Sequence, residues 1–473
     1  MNYILKRLLL TSLVLILLSL TPHQIASAQE NSPAGPIYII QPGDSLWGIA
    51  HRLHVDYSAL LEINNLTSES QVLPGLHLVI PGLEGIQGFI TTQTIPYGES
   101  LASLSHRYQI PETALLKMNR ITSPIELYAG VSLVLITDEE NNLGEPGGGR
   151  VTPAEGQSLL EVAAKEGLNP WVLVLANSLS GTWDAIPGRI LHIPNISDTG
   201  PGGLPHEIRA VSYTPERLVQ GQTTVIQVSA PNGTQIEGEL GGHPLHFFST
   251  SDGLYTALQG IHAMEKPGLI SLSIQGVLPD GKPFAHRQMV PILSGDYTYR
   301  SINGVPTETV DPEISASDTA QLAAYAAEST PEKRWDGPFQ VPMPSQYSNP
   351  GPLFGERRSF NGSGYYYYHS GIDFSTWGQE GIDILAPASG QVVFIGKLVI
   401  FGNVTMIDHG WGVYTVYAHQ SEVLVEVGQQ IETGQVIGLI GTTGRSTGPH
   451  LHWEVWVGGV QVDPQQWLSQ SYP

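Results

Sequence analysis

The sequence predicts a multidomain protein. Three small α+β units, each a strand, two helices and a strand, are followed by an all-β module and a C-terminal domain that is mainly antiparallel β. Three observations carry this reading. Glycine and asparagine markers recur in step three times, short alternating segments follow a Gly/Pro linker, and the last part is rich in glycine and β segments with no amphipathic helix of useful length. At 473 residues the chain is long enough for roughly three domains of about 150 residues, or more if some are small.

The first residues, "MNYILKRLLLTSLVLILLSLTPHQIASAQ", place Lys6 and Arg7 before an apolar run from Leu8 to Leu20 and the small-residue site Ala26-Ser27-Ala28. This is the pattern of a secretory signal peptide over residues 1–28, cleaved after Ala28. The run is shorter than the ~20 apolar residues a spanning helix needs. No later stretch is apolar enough to span, so the mature protein is expected to be exported and free of the membrane. There is no cysteine, which excludes disulfides and a lipidated cysteine anchor. The formal charge of -22, which becomes -24 without Lys6 and Arg7, disfavours nucleic acid and anionic membranes as partners.

The repeats occupy 37–82, 89–137 and 150–195. Gly43, Gly98 and Gly156, then Asn64, Asn119 and Asn177, then Gly75, Gly130 and Gly188 each advance by 55 and 58 residues. In the first copy Asp44 or Ser45 can cap a helix whose Leu46, Ile49, Ala50 and Leu53 share one face. A second helix follows over Ser58 to Ile63, and "LHLVIP" closes the unit as a strand. Leu46 and Trp47 read as core or helix packing. With "PGDSLWGIA", Asn64 and "LPGLHLVIP", the first copy resembles the LysM module. The second departs with Ala129-Gly130, and the third, which lacks the acidic residue after Gly156, is divergent. The resemblance implies a βααβ fold and binding of N-acetylglucosamine glycans, with Gly43, Asp44, Ser45 and the Asn64–Pro74 loop against the sugar.

"NISDTGPGGLP" marks a boundary. Residues 206–294 then carry alternating segments such as "TVIQVSA", "TQIEGEL" and "LISLSIQGVL" between "PNG", "SDG" and "PDG" turns, the pattern of an Ig-like β sandwich. His243, His246, His262 and His286 are scattered in it without metal spacing and read as surface or core residues. Residues 295–335 read as a linker with one helix, from Asp311 to Glu328, either a passive connector or an element covering a groove.

The C-terminal domain, residues 336–473, holds the chemistry. "HSGIDF" puts His369 and Asp373 four apart, and in a strand His369, Gly371 and Asp373 share a face. In "GPHLHWEV" the same alternation puts His450, His452 and Glu454 on one face, with Leu451, Trp453 and Val455 toward the core. "YAH" adds His419. Histidines and a carboxylate converging from three segments suit a zinc ion with three protein ligands and an open position. A remaining histidine can serve as general acid or base. His409 reads as a structural residue of a hairpin turn, Glu454 either as a plain strand residue or as a partner that orients a histidine, and Tyr365 to Tyr368 as a run in which alternation makes two core residues and one phenol, not identified by the spacing, can stabilise a transition state.

With "LFGERR", "HSGIDF", "ILAPASGQVVF", "IDHGWGVYTVYAH", "GRSTGPHLHWEV" and "VDPQQWL" in this order, Pro342 to Trp467 resembles the lysostaphin-type, LytM-like zinc metallopeptidases. That resemblance implies one Zn2+ per catalytic domain on His369, Asp373 and His452, with His419 and His450 as catalytic histidines. It implies a cell-wall hydrolase that cuts peptide bonds of peptidoglycan while the LysM modules hold the glycan. The location would be extracellular, cell wall or periplasm. The alternative expectation is a non-catalytic or latent regulator of other wall hydrolases.

Overall fold

The computed structural model describes residues 35–67, 72–138, 147–184, 186–364 and 367–473. The expected signal peptide lies outside the described residues, as do Tyr365 and Tyr366. Among the described residues no helix is long and apolar enough to cross a membrane. They fall into two compact units, one within Met1–Thr91 and Ile136–Asn142, the other within Thr92–Leu135 and Leu143–Pro473.

The repeat markers have a common physical cause. Asn64 donates from Nδ2 to the carbonyls of Leu60 and Val79 and accepts the Val79 amide at 2.7 Å on Oδ1. Asn119 makes the same bonds to Leu115 and Val134, and Asn177 to Leu173 and His192. Each asparagine thus staples the second helix to the closing strand, satisfying backbone groups that neither element can satisfy alone. The glycines that keep step with them all have positive φ, as turns before the first helix and before the closing strand require.

In the first unit the helix Leu46–Arg52 is capped by Ser45, whose Oγ accepts the Gly48 amide; Asp56 caps the helix Tyr57–Ile63. Leu46, Ile49, Ala50 and Leu53 are all buried, each large apolar side chain contributing ~1.5–3 kcal/mol. Trp47 corrects its expectation: one position past Leu46 it turns off the apolar stripe, is 62% exposed and stacks on His51.

The third repeat has the expected order of elements: Gly147–Val151, the helices Leu159–Lys165 and Pro170–Ala176, and Leu191–Ser197, with the strands antiparallel. Beyond it lie a five-stranded and a four-stranded sheet. Ile226, Val228 and Ala257 from one and Leu272, Ile274 and Val290 from the other share a single core.

The C-terminal domain is built on a nine-stranded sheet whose pairings are all antiparallel, with Arg357–Phe360 and Tyr367–Tyr368 in a separate small sheet shared with Tyr299–Ile302. His450–Val457 lies between Ile372–Ser375 and Val413–Val423, so the segments that carry the candidate ligands are neighbours. Leu451, Trp453 and Val455 are fully buried on the core side. The strand after "HSG" begins only at Ile372, so His369 lies just before it rather than in it. A Cβ on Gly371 would sit 2.2 Å from the Trp453 carbonyl, so the glycine makes room for the neighbouring strand.

The helix Pro312–Ala326 is no passive connector. Asp311 caps it, Leu322 and Ala326 pack in a core with Val404, Met406 and Trp456, and Asp318 accepts the Ile400 amide at 2.6 Å.

Candidate metal centre and active-site groove

His369 is held by a bond from Nδ1 to the Leu353 carbonyl at 2.9 Å. A carbonyl only accepts, so Nδ1 carries the proton and Nε2 offers a lone pair. That Nε2 lies 3.0 Å from Asp373 Oδ1 and 3.0 Å from His452 Nδ1, and Asp373 Oδ1 is 2.9 Å from His452 Nδ1. His452 Nε2 turns the other way, to Glu454 Oε1 at 3.0 Å. Three ligand atoms, one from each residue, therefore meet within 4.8 Å in a buried pocket. Converging lone pairs repel unless a cation sits among them, and two imidazoles with one carboxylate form a donor set that fits zinc.

The electrostatics follow from this crowding. Burial opposes charge on Asp373, yet the adjoining His369 and His452 hold its carboxyl well below the usual range. Burial also opposes charge on His452, but the carboxylates of Asp373 and Glu454 outweigh it and lift the ring to about 9.

His419 sits at an irregularity where the strand pairing shifts register between Asn403 and Thr405, with φ of 62°. A bulge with a left-handed residue re-aims a side chain, and such strain gathers at functional sites. Nδ1 donates to the Thr443 carbonyl at 2.7 Å, leaving Nε2 as a base. Burial, then the facing rings of His450 and His452, holds its pKa well below the usual imidazole value. His450 Nδ1 donates to the Gly448 carbonyl at 2.8 Å, and Nε2 comes within 3.8 Å of Asp373 Oδ1. The rings of His419 and His450 lie 4.7 Å apart. His419 and His450 thus each commit Nδ1 to a carbonyl, and their rings lie beside the three converging donors.

Several neighbours are not legible as site residues in the sequence. Arg358 Nη2 stands 3.6 Å from Asp373 Oδ2 and its Nε is 3.1 Å from Glu356. Arg445 donates to the Thr309 carbonyl and to Ser315, and covers the faces of Phe360 and Tyr367, fastening the loop before His450 to the helix Pro312–Ala326. That helix lines, with the five candidate residues, a groove of about 1010 Å³. His262, expected from the sequence to be a surface or core residue, also lines it. Among the described tyrosines Tyr367 donates to the Val310 carbonyl, and Tyr368 hydrogen-bonds His262 and Gln461.

His409 is not in a turn but near the end of the strand Gly402–Gly410. It is fully buried, with Nδ1 on the Ser389 carbonyl at 2.7 Å and Nε2 on Thr415 Oγ1 at 2.8 Å. In the first unit Gly43 and Ser45 are exposed, whereas the Asp44 carboxylate is occupied by Arg52, Tyr38 and the Gln41 amide.

Parts of the chain are similar to known proteins. The sequence model of Peptidase family M23 matches residues 367–464, and that of the LysM domain matches 38–81 and 94–135. The DD-carboxypeptidase/endopeptidase Mpg of Neisseria meningitidis serogroup B is 44% identical over 96 residues, 20% of this chain and 22% of its own. The peptidoglycan DD-endopeptidase ShyB of Vibrio cholerae is 36% identical over 124 residues, 26% of this chain and 29% of its own. The chain thus spans less than a third of the length of these curated relatives. A crystal structure of a peptidase M23 candidate from Pseudomonas aeruginosa is 26% identical and covers 53% of this chain and 95% of its own, with a TM-score of 0.40. The chain carries a peptidase family M23 domain at residues 367–464 and two LysM domains, at residues 38–81 and 94–135.

Proposed function

We propose that this protein is an exported cell-wall hydrolase whose C-terminal domain is a zinc-dependent endopeptidase acting on peptide bonds of peptidoglycan stem peptides or cross-links. The observation that carries the reading is the meeting of His369 Nε2, Asp373 Oδ1 and His452 Nδ1, with the rings of His419 and His450 beside them. His369, Asp373 and His452 would hold a zinc ion, which would supply Lewis acidity toward a peptide carbonyl and lower the pKa of water toward neutrality. His419 Nε2 takes a proton from the attacking water and His450 Nε2 orients it; on collapse the proton passes to the leaving amine. The carbonyls of Thr443 and Gly448 hold both rings in the tautomer this requires. The groove wall formed by the helix Pro312–Ala326 limits access to an extended peptide.

The LysM domains hold the glycan strand, with Gly43 and Ser45 and the exposed Trp47 on the contact side and Asp44 shaping the loop from within. The third repeat, 150–195, is a further LysM-like module, supported by its Asn177 staple, and 206–294 is an Ig-like sandwich. Tethering to the wall raises the effective concentration of a poor substrate. The places that fit are the cell wall and the periplasm.

The test is mass spectrometry of fragments released from purified peptidoglycan. Peptide-cleaved fragments that vanish with chelator are expected and would identify the bond; intact cross-links after incubation with zinc-loaded protein would sink the reading.

A further inference from the structure

The His452 ring is buttressed by a chain of hydrogen bonds that leaves the peptidase domain. The Met264 amide donates to His262 Nδ1 at 3.0 Å, so that nitrogen is bare and His262 Nε2 carries the proton. His262 Nε2 lies 3.0 Å from Tyr368 Oη and donates to it. The Tyr368 hydroxyl hydrogen is then free to go to Gln461 Oε1. At the far end Glu454, an acceptor, takes the Trp456 indole N–H at 2.7 Å and the Gln461 amide at 3.2 Å on Oε2. Because Glu454 accepts, the Gln461 NH2 must face it and Oε1 must face Tyr368; the amide orientation is set from both ends. The other carboxylate oxygen takes His452 Nε2–H at 3.0 Å, which leaves His452 Nδ1 bare toward His369 and Asp373.

From the loop after the strand Leu254–Gly260 the donors of His262, Tyr368 and Gln461 all point toward Glu454, which also accepts His452 Nε2–H from the metal side. The loop itself is held from the peptidase side, by Arg357 donating to the Ala263 carbonyl at 2.7 Å. Glu454 is fully buried and Gln461 is 4% exposed, so water does not compete for the bonds that Glu454 accepts.

We propose that His262, supplied by the β module upstream of the peptidase, is a positioning residue of the metal site. Through Tyr368, Gln461 and Glu454 it fixes the His452 ring with Nδ1 available as a ligand. Tyr368 is on this account a positioning residue too, its hydroxyl committed to the chain. The inference rests on the proposed metal site and adds that the site is completed from outside its own domain. Partners of metal-bound histidines typically carry about 10–100-fold in affinity.

The experiment uses the full chain. Zn2+ affinity is measured by competition with a chelator, together with the visible absorption of the Co2+ form and the thermal unfolding of the metal-free protein. Tyr368→Phe removes one hydroxyl and no packing volume. It is expected to weaken Zn2+ binding about tenfold and shift the Co2+ bands while the metal-free protein unfolds where the parent does. His262→Ala is expected to act in the same direction, and the double variant to be no worse than Tyr368→Phe, because both break one chain. Unchanged Zn2+ affinity in Tyr368→Phe, or a loss of stability with no change in the Co2+ spectrum, would overturn the proposal. Parental affinity in His262→Ala would overturn the reach into the β module. Failure of the parent chain to bind Zn2+ at all would instead sink the functional reading beneath it.

Discussion

His409 and His452 are both buried in the same sheet, on strands that flank Val413–Val423, and they differ in what their nitrogens meet. His409 bonds the Ser389 carbonyl with one nitrogen and the Thr415 hydroxyl with the other, and Thr415 passes the chain on to Tyr417 at 2.7 Å. Nothing is left over, and burial pushes its pKa down to about 4. His452 has one nitrogen on Glu454 and the other among lone pairs it cannot satisfy by itself. Burial does not separate structural from functional histidines here. The deficit does: a site is where acceptors converge without a donor to share.

The comparison breaks most sharply if the converging donors are dispensable. His369→Ala is expected to abolish Zn2+ binding and to reduce peptidoglycan hydrolysis by at least about 10³-fold, read from fragment release. His419→Ala separates the two functions of the site: metal content stays at the parental level while hydrolysis falls by about 10²–10⁴-fold. Loss of metal in that variant would move His419 into the ligand set.

The satisfied histidine makes a stability prediction of definite sign. His409 titrates near 4 in the fold and near 6.5 when unfolded, so between those values the unfolded chain takes up a proton that the fold refuses. Its contribution is present in full above pH 6.5 and is lost as pH falls toward 4, on the order of 3 kcal/mol. Replacing it by Gln should flatten the dependence of denaturant midpoint on pH across that window. An unchanged slope would mean the ring is not the buried neutral group its bonds describe.

The smallest effect belongs to the repeats. Asn177→Ala strips three backbone bonds from the helix–strand staple and should cost about 1–3 kcal/mol locally, seen as faster amide exchange in 150–195, with metal content unaffected.

The legible parts of the molecule were those set by short-range rules. The three asparagines and their glycines recur in step because the backbone geometry of each repeat demands them. His450, His452 and Glu454 share a face because they lie two apart in a strand, and the spacing of His369 and Asp373 marks a pair even though His369 precedes its strand. What was not legible depends on distant chain coming together. Nothing local distinguishes His262 from His243 or His246, because its role comes from Tyr368, more than a hundred residues on. The helix Pro312–Ala326 reads as a connector until its Leu322 meets the sheet. Trp47 departs from its expectation for a smaller reason: one residue of helical phase separates a buried Leu46 from an exposed neighbour.

The central claim is that the unsatisfied donors of His369, Asp373 and His452 make a metal site while the equally buried His409 does not. Metal analysis of the purified parent, His369→Ala and His409→Gln after equilibration with limiting Zn2+ tests it most directly. The account predicts one zinc per chain in the parent and in His409→Gln, and none in His369→Ala. Zinc retained by His369→Ala at the parental level, or lost from a folded His409→Gln, would contradict it.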